Sequence, residues 1–355
     1  MSGPPVKQFS DAPSRAGDDA ERRFSYFTPQ KRRATLYEDV TIDTQPSIHR
    51  HMDRGWPVSF EDGRGTWNDE STTLRSADWF AFRDPGELWE RPFYQEGARA
   101  EAQIDGAVRS AKRERLFDDF DPGWIEFLRA NLQVPAFAEN GVWLATASVG
   151  RDCLSDSITH AVVLEAAHKQ RIAQSIVLYA MDLEEHFGEF PIADAKRRWL
   201  EHPAWQPTRS FVERLHASTD WGEVIVAANL CFEPIIGAMI RRELGIRAAT
   251  LNGDTVTPVV ARVAQIEWAW AADWTAAFTR FVLDDEHGAA NKAVLEAWLA
   301  DWLPLATRAG TALTQIAGEL PIGFDVEEAQ QRVRRDAAKF HEDAGVADLA
   351  AEVTA

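Results

Sequence analysis

The sequence predicts a mainly α protein: a helical bundle that carries a long non-helical N-terminal arm. Three observations lead there. Residues 151–191 hold no Gly or Pro between Gly150 and Gly188, so nothing inside that stretch breaks a helix. Leu154, Ile158, Ala161, Val162, Leu164, Ile172, Ile176, Tyr179 and Leu183 recur there at mostly three- and four-residue steps, the period of an amphipathic helix. The same period returns over residues 259–284, whereas Pro and Gly interrupt residues 24–94 throughout.

Taken in order, residues 1–22 are polar and read as a disordered or loosely attached tail. Residues 23–95 form the arm, dense in aromatics such as Trp56, Trp67, Trp79, Phe82 and Trp89 and in breakers such as Pro29, Pro46, Pro57, Pro85 and Pro92. Ordering roughly 60 such residues costs on the order of 60–120 kcal/mol of backbone entropy. Burying the aromatics, at about 2–3 kcal/mol each, offsets only part of that. The arm is therefore expected to lie along the helical body, across another subunit, or both. Its basic run Lys31-Arg32-Arg33 reads either as a solvated patch beside Glu38 and Asp39 or as a contact with an acidic partner.

Residues 96–320 read as the helical domain. A one-sided helix covers 96–120, a turn follows at Asp121-Pro122-Gly123, and Pro135 leads into the long central helix. Gly188 closes that helix. Residues 221–244 form a very apolar helix that Pro234 should kink, and Pro304 should stop the helix that starts near Asn291. Residues 321–355 are a polar, acidic tail with a helix over 326–344.

At 355 residues the chain can bury a large core, as one domain or two. A net charge of −18 argues against non-specific nucleic-acid binding and adhesion to anionic membranes. There is no unbroken run of about 18 apolar residues to span a membrane and no apolar signal-peptide core, so the expected location is the cytoplasm. Cys153 and Cys231 sit in apolar helical contexts and read as buried, reduced thiols. Fourteen Trp imply much contact surface, internal or with a partner.

The sharpest chemical signal is Glu165-Ala-Ala-His168, since Glu and His three apart share one helix face. Carboxylate-bridged di-iron sites in helical bundles use two such motifs plus two further carboxylates, each on its own helix. Glu213-Arg-Leu-His216 is the second candidate, with Glu233 and Glu267 as possible further carboxylates. The context argues against a site. Glu213 and His216 lie in a short piece between Pro207 and Gly222, and Lys169 and Arg171 beside the first motif are typical of a surface stripe. These residues therefore read as polar-face or interface salt-bridge partners. His160 and His186 read as histidines held by hydrogen bonds, and His49 and His51, with Asp53 nearby, lack further ligands. No G-x-S-x-G, Walker loop, G-x-G-x-x-G or C-x-x-C is present, which leaves nucleophilic-hydrolase, ATP and nicotinamide readings without support.

The arm is more specific than the helices. FSYFTPQKRRATLYEDVTIDTQPSIHRH, followed by RGWPVSFEDGRGTWNDESTTLRSADWFAFRDPGELWERPFYQ, resembles the hydroxylase small (beta) subunit of soluble multicomponent di-iron monooxygenases, of the propane 2-monooxygenase type. The resemblance extends over most of the chain. It implies a ferritin-like helical bundle without a metal site of its own, and no catalytic, cofactor-binding or metal residue in this chain. It implies a large (alpha) subunit holding the di-iron centre, with two large and two small subunits assembled. A reductase carrying NADH, FAD and an iron–sulfur cluster, and a regulatory (coupling) protein, complete the system for hydroxylating small alkanes with O2.

By the same resemblance, Met181-Asp-Leu-Glu-Glu-His186 compares with a ligand helix of the large subunit, with Leu183 where a ligand Glu would stand and His186 kept. Asn229, before Phe232-Glu-Pro234, takes another ligand position, and Glu267 is followed by Trp270 in place of an imidazole. The alternative, from the residues alone, is a catalytic di-iron carboxylate oxidase using Glu165, His168, Glu213 and His216.

Overall fold

The structure is a computed structural model and describes residues 29–30, 34–42 and 69–354. The N-terminal tail, Lys31 to Arg33, His49, His51 and Asp53 lie outside these residues. Among the described residues the regular elements are helices, and no β-strand is found.

Helix α1 (Leu36–Thr41) starts from a capping box in which Thr35 and Glu38 satisfy each other's backbone N–H groups. Glu38 also pairs with buried Arg83 at 2.9 Å, which ties α1 to the next stretch. Residues 69–89 then run along the helical body as a strap, in keeping with the first expectation for the arm. Ser71 Oγ donates to Asp152 O, Thr73 N to Asp220 Oδ2, and Ser76 Oγ to Asp285 Oδ2. The strap borrows its hydrogen-bond partners from the helices because it has no ladder of its own.

Helix α2 (Glu90–Glu114) begins inside the stretch read as arm and ends at Arg115, whose φ of 59° takes the left-handed terminal conformation. Next come α3 (Pro122–Asn131), capped by Asp121, and α4 (Val134–Gly150). Helix α5 (Asp156–Phe187) is the unbroken central helix, capped by Ser155 and closed by Gly188 at φ 82°. Helices α6 (Ile192–Glu201) and α7 (Gln206–Ala217) cover one side of the body.

Helix α8 (Trp221–Leu251) is longer than expected and is not simply kinked at Pro234. It runs as a π-helix over Val226–Gly237 and again over Met239–Ala248. Pro234 has no N–H, so the carbonyl four residues earlier loses its α-helical donor; wider turns accommodate the ring without ending the helix. Among the described helices, α8 alone is long and apolar enough to cross a membrane, but 83% of its apolar window is buried inside the protein.

Helix α9 (Thr257–Leu283) follows, with Pro258 in its first turn. Helix α10 (Gly288–Leu313) continues through Pro304, against the expected stop. Pro304 faces outward, so the carbonyl it orphans meets water, while Leu299, Trp302, Leu303 and Ala306 hold the buried face on both sides. Helices α11 (Val326–Asp343) and α12 (Ala347–Thr354) pack across α8 and α10.

Helices α4, α5, α9 and α8 form the centre, with α4 packed on α5, α5 on α9, α9 on α8 and α8 on α4. Trp124, Trp205, Trp221, Trp274 and Trp302 are fully buried, so much of the tryptophan excess serves internal contact. Both cysteines are free and buried, and burial raises both thiol pKa values.

Candidate functional site

The ring of four helices encloses a buried polar layer. Helix α5 contributes Glu165, His168 and Lys169, which are 2%, 7% and 3% exposed. This overturns the expectation of a surface stripe. The apolar period steps from Ala161 and Val162 to Ile172, and Glu165, His168 and Lys169 are its intermediate steps, so they share the inward face. Helix α4 adds Glu139, α8 adds Asn229, Glu233 and Arg241, and α9 adds Glu267.

Two cations lie between the carboxylates of α4 and α8. Lys169 Nζ bonds Glu233 Oε1 and stands 3.5 Å from Glu139 Oε2. Arg241 reaches the same pair, at 2.5 Å from Glu233 Oε2 and 3.5 Å from Glu139 Oε1. Gly237, midway between Glu233 and Arg241, leaves room for this pairing. A Cβ there would lie 2.7 and 2.8 Å from the Arg241 guanidinium nitrogens and 2.8 Å from Glu233 Oε2. Beside this quartet, Arg171 pairs with Glu267. Asn229 Nδ2 donates to Glu165 Oε2 and to Thr275 Oγ1, both at 2.9 Å.

His168 lies tilted against Phe93, with ring centroids 4.8 Å apart and planes at 31°, and meets the edge of Trp270 at 5.4 Å. Its Nδ1 has no hydrogen-bond partner among the described residues. Trp270 Nε1 donates to Asp84 Oδ2 at 3.0 Å, which joins the strap to the layer. A cavity of about 80 Å³ adjoins the layer, lined by Ile172, Ile176, Val260 and Ala264 together with Arg171 and Glu267.

The electrostatics follow from burial. Desolvation pushes the Glu139 carboxyl up, partly opposed by Lys169. Burial acts on Glu233 as well, but the direct contacts with Arg241 and Lys169 outweigh it and hold that carboxyl below its ordinary value. Lys169 pays the same desolvation, yet Glu139 and Glu233 keep its ammonium protonated well into the alkaline range. Glu165 is raised to about 7 by burial, and His168 is held well below the usual imidazole value by burial and the neighbouring Arg171 and Lys169.

A dinuclear iron centre on four helices takes one carboxylate from each of two helices and a Glu-x-x-His pair from each of the other two. Here α4 offers Glu139, α5 offers Glu165 with His168, α8 offers Glu233, and α9 offers Glu267 followed by Trp270. The set lacks one imidazole, and Lys169 and Arg241 stand between the carboxylates where positive charge would be needed. The residues present do not fit a di-iron centre, and among the described residues no His, Cys, Asp and Glu group is arranged to hold a metal ion.

The structure separates the other candidates. Glu213 is exposed on α7 and pairs with Arg209, while His216 Nε2 bonds Gly141 O at 2.7 Å; neither joins Glu165 and His168. His186 lies at the far end of α5, 3.1 Å from Asp118, and Leu183 belongs to the apolar core, so this pair is not part of the polar layer either. His160 bonds Glu90 at 3.0 Å. Sequence reasoning missed Glu139, Lys169 and Arg241. The signal for Lys169 was the unbroken period of α5; Glu139 had none, because its partners Lys169 and Arg241 come from other helices, and for Arg241 only its eight-residue spacing from Glu233 on α8 was available.

The sequence model of the Methane/Phenol/Alkene Hydroxylase family matches residues 56–286. The chain is 38% identical over 317 residues to the propane 2-monooxygenase hydroxylase component small subunit of Rhodococcus jostii (strain RHA1), covering 88% of this chain and 86% of that protein. It is 30% identical over 298 residues to the methane monooxygenase component A beta chain of Methylosinus trichosporium, covering 80% and 75%. A phenol hydroxylase chain from Pseudomonas sp. OX1 shares the fold, with a TM-score of 0.74 at 15% identity over 94% of this chain and 98% of that one. The helical architecture, the four-helix carboxylate pattern and these similarities converge: the chain belongs to the methane/phenol/alkene hydroxylase family, among its hydroxylase small (beta) subunits.

Proposed function

We propose that this chain is the non-catalytic small subunit of the hydroxylase of a multicomponent monooxygenase that hydroxylates propane or a related small alkane, using O2 and NADH. The observation that carries this reading is the polar centre itself, where Lys169 and Arg241 neutralise Glu139 and Glu233. A centre closed by ion pairs has no open position for O2 or substrate, so the chain contributes no catalytic, cofactor-binding or metal residue. The iron then resides in a large subunit, assembled as two large and two small subunits. NADH, FAD and an iron–sulfur cluster belong to a reductase, and a regulatory (coupling) protein completes a cytoplasmic system. Similarity over 88% of the chain to a propane 2-monooxygenase small subunit supports the substrate class.

The role of this chain is to brace its partner. Its helical body is internally closed, while Val163, Leu178 and Met181 on α5 and Ile266 on α9 remain exposed apolar side chains on two central helices. Burying them against a partner helix would contribute about 25 cal/mol per Å² of apolar surface.

Co-expression with the large subunit tests the proposal. The assembled complex should contain iron only in the large chain, and removing residues 1–60 of the small chain should abolish co-purification. The Glu165→Ala/His168→Ala variant should leave the large subunit's iron in place. Stoichiometric iron with an oxo-bridge absorption band in the small chain alone would overturn the reading.

A further inference from the structure

We infer that Lys169 and Arg241 act as built-in counter-ions in place of two metal ions, and that removing both opens a divalent-cation site formed by Glu139, Glu165, His168 and Glu233.

Each of the four central helices supplies a buried carboxyl group: Glu139, Glu165, Glu233 and Glu267 are 2%, 2%, 0% and 8% exposed. Four acids on four facing helices are costly to bury unless positive charge accompanies them. In this chain Lys169 and Arg241 meet Glu139 and Glu233, and Arg171 meets Glu267. Glu139 and Glu233 are held toward these cations and Glu165 accepts from Asn229, which is why no ligand group is preformed. His168 is a second, independent sign. Its Nδ1 is buried and without a hydrogen-bond partner among the described residues, although a buried imidazole nitrogen normally finds one.

Gly237 is shaped to this arrangement, since any side chain would collide with the Arg241 guanidinium. Once both cations are gone, the carboxylates of Glu139 and Glu233 face the volume they vacate, and Glu165 and His168 lie on the same inward face of α5 as Lys169. That donor set suits a divalent first-row ion. The carboxylates must then either protonate or take up such an ion.

The experiment uses the full-length chain as wild type, as Lys169→Ala/Arg241→Ala, and as that double variant with Glu233→Gln and His168→Ala added. Cobalt(II) is the probe, read by its visible absorption and by metal analysis after gel filtration. The expected result is at least tenfold more bound cobalt in the double variant than in wild type, a thermal midpoint that rises with cobalt concentration, and loss of both on adding Glu233→Gln and His168→Ala. A folded double variant that retains no more cobalt than wild type overturns the inference. So does cobalt binding that survives the added substitutions.

If the double variant does not fold unaided, it is refolded with and without cobalt. Recovery of helical circular dichroism only with the metal supports the inference, and no recovery with it overturns the inference. None of these readouts depends on the large subunit, so they stand or fall separately from the hydroxylase-subunit reading.

Discussion

His341 donates from Nε2 to the carbonyl oxygen of Leu230 at 2.7 Å. Leu230 lies in the π-helical stretch of α8, four residues before Pro234. A histidine from α11 thus ties α8 to α11 through a buried carbonyl, across a separation of 111 residues. Replacing His341 with Ala removes this buried hydrogen bond and should cost about 0.5–1.5 kcal/mol. Urea unfolding should show a lower midpoint with an unchanged slope, and His341→Gln should recover part of the loss.

The same histidine gives a pH dependence. Burial holds both His341 and His168 below the ordinary imidazole value, so both are neutral in the folded chain. Unfolded, they bind protons near pH 6.5. Below that pH the unfolded state binds more protons, so their contribution should lower stability as pH falls through 6.5 and vanish above it. Unfolding midpoints between pH 5 and 8 should show a shallower acid-side decline in His341→Gln than in wild type.

Glu165 acts in the opposite direction. Its folded pKa is about 7 against an ordinary 4.5, so the folded state binds the extra proton between those values. Stability is therefore lost as pH rises through that window, and the full cost remains above it. Glu165→Gln can still accept from Asn229 and has no charge to bury. It should raise stability at pH 8 by on the order of 3 kcal/mol, with the gain disappearing near pH 4.5. Thermal melts of the two proteins at both pH values measure this directly.

Gly237→Ala places a Cβ within 2.8 Å of both Arg241 and Glu233. The guanidinium and carboxylate must shift to admit it, and the expected cost is about 1–3 kcal/mol. If the collision with Arg241 is the cause, Gly237→Ala and Arg241→Ala should be less than additive, with a coupling of about 1–3 kcal/mol in a double-mutant cycle.

Asn291 fastens the strap. Its Nδ2 donates to Arg75 O at 2.8 Å and Val282 O at 2.7 Å, and its Oδ1 accepts from Arg75 N at 2.9 Å. Asn291→Ala removes all three and should destabilise by about 2–3 kcal/mol. Limited proteolysis should cleave within residues 69–88 several-fold faster than in wild type, while cleavage of α5 stays slow.

Part of this protein was determined by sequence alone. The helical class, the length of α5 and its end at Gly188 follow from local rules: apolar period, the absence of breakers and a glycine at positive φ. Continuation through Pro234 and Pro304 was not legible, because it depends on the π-helical turns around Pro234 and on Pro304 facing water. The polar centre was visible only as fragments. Glu165, His168, Glu233 and Glu267 could be named as candidates, but Lys169 and Arg171 looked like surface residues because isolated buried cations are rare.

Only tertiary packing brought Lys169 from α5 and Arg241 from α8 between Glu139 of α4 and Glu233 of α8. The physical reason is that burial and ion pairing are properties of four helices meeting. A helix period says which residues share a face, but not which charges that face will meet.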